Sequence, residues 1–175
     1  MGCATCSNKI NGVPNGCKSN GSCGNGGCSK LTTFNWLANM VLPANTEIFN
    51  CVEVRFKNGR KEFFINADQF SLHEGDIVKV EATTGYDVGV VCLAGELVRL
   101  QMQKKNIFLQ KADLKKIHRK ANENDVDKWL EGRAKETEAM LNARAVANEL
   151  SLKMKISDVE YQGDLSKAVF YYTAD

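Results

Sequence analysis

The pair Asn58-Gly59 constrains this chain more than any other two residues. Ahead of it Val52, Val54 and Phe56 alternate with Glu53, Arg55 and Lys57, the period of a half-buried strand. Behind it Arg60 to Asn66 runs back as a partner. Asn-Gly supplies the two positive φ angles that a tight hairpin turn needs, so these segments are expected to pair. Three more strands are predicted over Asp76–Thr83, Asp87–Ala94 and Leu97–Gln103, bounded by Gly75, Gly85 or Gly95. Five short strands so closely spaced point to a small curled β-sheet or partly open barrel. Two of the glycines could mark bulges where such a sheet bends.

Residues 111–150 read as helical. One helix is expected over Ala112–Ala121. Asn124 or Asp125 caps a second, with Val126, Trp129, Leu130 and Ala134 on one face. The pattern weakens across Lys135–Glu138, and a third helix carries Leu141, Ala145 and Leu150. Met154–Tyr161 and Lys167–Thr173 form a hairpin around Gln162-Gly163-Asp164. A lone hairpin is marginal in water, so its further sheet partners are expected beyond Asp175 and the α+β unit to be incomplete. The fold class is therefore α+β. The expected layout is a disordered Cys/Gly/Asn-rich tail over 1–30, a short helix and linker over 31–49, a β-rich barrel-like domain over 50–110, and an α+β unit over 111–175. The short helix uses Leu31, Phe34, Leu37 and Met40, opens at Thr32 or Thr33, and stops at Pro43. The tail has no acidic and no aromatic residue, too little to offset the entropy of ordering it.

A net charge of +2, with 25% charged and 43% hydrophobic residues, gives no global bias toward nucleic acid. No run approaches the roughly 18 apolar residues of a membrane helix, and Met1 to Gly16 lacks a secretory core. A cytoplasmic location without membrane insertion is the expectation. No phosphate-binding loop, nucleophile elbow, HExxH or dinucleotide motif is present. His73 in a turn and His118 in the basic helix read as surface residues, so the chain is expected not to be an enzyme.

Two groups of residues carry possible chemistry. Cys3 and Cys6, with two residues between them, can turn both sulfurs toward one metal, and Cys17, Cys23 and Cys28 follow at irregular spacing. Thiolates suit zinc or an iron–sulfur cluster; the alternative is a thiol-rich tail with no metal. Cys51 and Cys92 fall inside strands and read as buried structural residues. Between Arg99 and Lys120, eight cations (Arg99, Lys104, Lys105, Lys111, Lys115, Lys116, Arg119, Lys120) face one acid, Asp113. Such a segment offers a surface for RNA, DNA or an acidic partner; the alternative is a solvated helix face.

The blocks Val54–Phe64, His73–Glu81, Gly85–Val91, Asp158–Asp164 and Lys167–Asp175 resemble, in that order, the RicT/YaaT family with its polymerase-suppressor-type C-terminal domain, in the form found in Bacteroidetes. The resemblance spans roughly residues 50–175. It implies a non-enzymatic regulatory subunit or adaptor, joined to RicA- and RicF-like helical proteins in an iron–sulfur-containing complex. That complex is linked to RNA processing by RNase Y and to developmental regulation. The resemblance places the family's cluster cysteines after the last strand, beyond Asp175. No family ligand therefore maps onto a position here, and zinc on the tail stands as the alternative cofactor. The alternative function is a nucleic-acid-binding module using residues 99–120.

Overall fold

The computed structural model describes residues 9–10, 13–14, 35–37, 49–107 and 114–174. The chain forms two compact units, Met1–Trp36 and Leu37–Asp175. In the first, β1 (Lys9–Ile10) pairs antiparallel with β2 (Val13–Pro14). Those four residues of the predicted disordered tail are paired; the rest of it, the five tail cysteines, and nearly all of the predicted helix over 31–41 lie outside the described residues.

The second unit begins with β3 (Cys51–Arg55) and β4 (Lys61–Ile65), antiparallel from Cys51 opposite Ile65 to Arg55 opposite Lys61. Asn58 (φ 56°) and Gly59 (φ 77°) both adopt the left-handed region at the turn, as the Asn-Gly pair predicts. The Arg60 N–H donates to the Lys57 carbonyl at 3.2 Å to close it. No atom lies within 4 Å of where a Gly59 side chain would start, so Gly59→Val tests backbone strain alone. A loss of about 1–2 kcal/mol is expected, read as a melting point about 3–6 °C lower.

β5 (Ile77–Glu81), β6 (Tyr86–Ala94) and β7 (Ile117–Lys120) complete a five-stranded sheet in the order β4-β3-β6-β5-β7. It curls until its edges meet at one parallel bridge, Ile65 with Lys116, without closing into a barrel. The inner cluster draws on all five strands: Val52, Val54, Phe56, Phe64, Val78, Val80, Val91 and Ile117. Helix α1 (Glu96–Lys104) covers the other side, packing Leu97, Val98 and Met102 on Cys51, Phe63 and Leu93. Each such burial contributes about 1.5–3 kcal/mol for a large apolar side chain.

Three expectations are corrected here. The segment Leu97–Gln103 is helix, not strand: Leu100, which alternation would bury with Val98 and Met102, is 48% exposed. The basic segment ends in strand β7, not in a helix over Ala112–Ala121. Its Ile117 enters the inner cluster while the backbone pairs with the free edge of β5, and that tertiary gain overrides local helix propensity. The two helices expected after residue 124 are one, α2 (Glu123–Glu149), and its N-cap is Asn122 rather than Asn124 or Asp125, with Asp125 inside the first turn returning the bond of a reciprocal capping box. Its pattern weakens at Lys135–Glu138 because Glu136, a carboxylate, occupies a buried position. The last hairpin is as predicted: β8 (Met154–Tyr161) pairs with β9 (Ala168–Ala174), and α2 packs on β8.

Candidate functional site

The positive-φ turn at 58–59 leaves Lys57 and Arg60 at its two ends, and both side chains meet the β8–β9 hairpin. Lys57 Nζ lies 2.8 Å from Asp158, 2.8 Å from Glu136, and donates to the Val159 carbonyl at 2.6 Å. Asn58 donates to the second oxygen of Asp158. Arg60 pairs with Glu160 at 3.0 Å, Asp87 at 3.2 Å, and with Glu62, while its guanidinium stacks 4.0 Å from the centre of the Phe56 ring. Strand alternation makes this possible: Asp158 and Glu160 face the sheet while Val159 between them is fully buried. The Tyr171 hydroxyl donates to Glu160 at 2.7 Å; burial and that carboxylate push its pKa up to about 12.

The hairpin turn locks onto the turn between β5 and β6. Gln162 donates to the carbonyls of Thr84 (2.6 Å) and Tyr86 (3.1 Å), and the Gly163 N–H to Asp87 (2.9 Å). Gly163 sits so close that an added Cβ would lie 2.7 Å from the backbone nitrogen of Val88. Between sheet and hairpin remains a cavity of about 260 Å³, lined among others by Phe56, Phe64, Val80, Lys115, Lys167 and Tyr171. At the far end, Asp125 ties the start of α2 to Lys79 (3.3 Å) and Arg119.

Burial alone would raise Asp158 and Asp125. The Lys57 and Asn58 bonds to the first, and the Asn122 N–H with Arg119 and Lys79 at the second, outweigh it and hold both below the ordinary 3.8. Asp87 shifts the other way: its burial raises it more than Val88, Gly163 and Arg60 lower it. A depressed carboxylate contributes stability that is full above its unfolded value and is lost as pH falls through its folded value. Asp87 opposes this, because its protonation on acidification relieves a cost. With three depressed carboxylates at the contacts with the sheet, Asp125, Asp158 and Asp164, against one raised, the melting point is expected to fall as pH drops from about 4 toward 2. Asp158→Asn should flatten that slope in melts at fixed ionic strength.

Cations and carboxylates here are committed to one another, so the cluster acts as a clamp between elements. The predicted basic segment is distributed over three places. Arg99 on α1 pairs with Glu96 (3.2 Å), Lys104 ends α1, and Lys105 reaches the buried Glu53 at 3.1 Å. Lys115 lines the cavity and Lys116 forms the β4–β7 bridge. On β7, Arg119 holds Asp125 and Lys120 pairs with Asp76 at 2.8 Å. Lys111 lies outside the described residues. His73 and His118 are exposed, His118 on β7 rather than in a helix. Cys51 and Cys92 are buried; burial raises both thiols, and Glu53 helps push Cys92 up to about 12. Among the described residues no group of three His, Cys, Asp or Glu could hold a metal, so these residues do not fit an iron–sulfur cluster. The clamp residues were not singled out from spacing. Yet Lys57, Arg60, Asp87, Glu160 and Gln162 all stand in the blocks that carry the family resemblance, and Glu136 showed only as the break in the helical pattern at Lys135–Glu138.

Taken together, this is an α+β protein whose curled sheet is clamped to an αββ element. Comparison with known proteins gives it a place. Residues 115–175 match the family described as the PSP1 C-terminal conserved region. Over 128 residues the chain is 29% identical to stage 0 sporulation protein YaaT of Bacillus subtilis, covering 73% of this chain and 44% of YaaT. It is 32% identical over 161 residues to an uncharacterized protein of Schizosaccharomyces pombe, covering 76% of this chain and 22% of that protein. No solved structure matches. The chain belongs to the YaaT/PSP1 family. It spans less than half the length of these two curated relatives. Among the described residues, no helix is long and apolar enough to cross a membrane.

Proposed function

We propose that the chain is a non-enzymatic regulatory adaptor of the RicT type, a subunit of an iron–sulfur-containing complex acting in RNA processing and developmental regulation. One observation carries this reading: the residues of the family-like blocks are spent on joining elements, while apolar side chains stay exposed on the C-terminal αββ element. On α2 these are Leu130, Leu141 and Val146, with Leu150 just past its end; on β9, Phe170 and Tyr172. Exposed apolar surface of this kind suits docking of another protein. The partners proposed are RicA- and RicF-like helical proteins, with RNase Y acting downstream. A cluster ligated by this chain would use Cys3, Cys6, Cys17, Cys23 and Cys28, with zinc as the alternative metal there.

The nucleic-acid reading has less support, since Arg99, Lys105, Arg119 and Lys120 are each held by an acid. One experiment weighs the two: tagged chain mixed with purified RicA- and RicF-like proteins, and separately with RNA over a salt series. A stable complex with the proteins, and RNA binding no stronger than nonspecific, supports the adaptor. Tight RNA binding with a steep salt slope and no protein complex would replace it with the nucleic-acid module.

A further inference from the structure

We infer that the α2–β8–β9 element is a hinged lid, closed over the sheet by the Lys57–Arg60 clamp and able to open while the sheet stays folded. The inference stands apart from the adaptor reading. It rests first on how apolar packing is divided. Neither hydrophobic cluster of the described residues includes a residue beyond Ile117. The buried apolar residues of the later part are Ala147, Ile156 and Val159, where α2 packs on β8. An element with few apolar contacts to its neighbour opens at lower free energy than the neighbour unfolds.

The second support is what joins the two parts. The main chain crosses once, at Ala121–Asn122 between β7 and α2. Beside that crossing Asp125 is gripped by Lys79 and Arg119, which fixes a pivot. Eleven residues along α2, about 16 Å away at 1.5 Å per residue, Glu136 meets Lys57. There, besides the close approach of Gly163 to Val88, the contacts are ion pairs and hydrogen bonds: Lys57 with Glu136 and Asp158, Arg60 with Glu160 and Asp87, Gln162 with two carbonyls, Gly163 with Asp87. Such contacts break singly and are replaced by water, whereas a packed apolar core resists partial opening. The third support is the cavity of about 260 Å³ at this junction: the two surfaces meet without filling the space between them. Opening the lid uncovers Phe56, Phe64 and Val80 at the edge of the inner cluster.

Native-state hydrogen exchange on the whole chain tests this, comparing it with the double variant Asp158→Asn, Glu160→Gln. The amides of β8, β9 and the Gln162–Gly163 turn are expected to exchange about tenfold faster, while those of β3, β6 and α1 keep their rates. An equal rise in every element would mean one cooperative unit, and an unchanged hairpin would mean the clamp does not hold it; either result overturns the lid. Should the variant fail to fold, the unaltered chain in sub-denaturing urea decides. Hairpin amides that open with a smaller urea dependence than those of β3 and β6 support the lid, and a single common dependence overturns it.

Discussion

Replacing Gly163 by alanine is expected to cost about 3 kcal/mol, because the new methyl has nowhere to go. Its Cβ would lie 2.7 Å from the Val88 nitrogen and 2.8 Å from the Val88 Cγ2. The first contact is with backbone of β6 where Val88 pairs with Lys79 of β5, and it cannot step aside without disturbing that pairing. The hairpin turn must therefore lift. In lifting it stretches the Gly163 bond to Asp87 and draws Gln162 away from Thr84 and Tyr86. Asp87 then keeps its burial with fewer donors, which adds to the loss. For a chain of this size the melting point should drop by about 6–12 °C. Gly163 does not adopt a positive φ, so the effect comes from close approach alone. A melt within 2 °C or so of the unaltered chain would show that the turn does not bear on β6.

The elements that spacing could reveal were those with a local cause. Asn58-Gly59 needs positive φ wherever it lies, and it took it. The Gln162-Gly163-Asp164 hairpin and the strands at 77–81 and 86–94 have alternation bounded by turn residues. The misread elements had non-local causes. Nothing near Ile117 says that β5 will offer it a free edge, so a lysine-rich stretch looked helical. Leu97 to Met102 satisfies two periods at once, and only the surface beneath decides that Leu100 stays outside. Glu136 broke an apolar pattern because its partner, Lys57, lies 79 positions earlier. The clamp was legible only as blocks of resemblance, whose order showed that the residues belong together without showing what they do. Each block supplies one side of a contact. Lys57 and Arg60 come from the first, Asp87 from the third, and Asp158, Glu160 and Gln162 from the fourth.

Lys57→Met is the second large effect expected, at about 2–3 kcal/mol. Methionine keeps most of the apolar stem, so packing is disturbed little and the loss reads the charge. Glu136, 8% exposed, and Asp158, 26% exposed, would then face each other with no cation between them. A buried charge stripped of its partner costs more than the pair was worth; Asp158 still reaches water and Asn58, which places the effect below that of a fully buried pair. Adding Glu136→Gln removes one of the stranded charges, so the double variant should recover about 1–2 kcal/mol of the loss. The pH dependence gives an independent check. In the unaltered chain Lys57 holds Asp158 below its ordinary value, a stabilisation that disappears as pH falls through the folded value. The variant lacks it at every pH. The two melting curves should therefore converge as pH falls from about 4 toward 2, and a constant gap would mean that Lys57 acts by packing rather than by its charge.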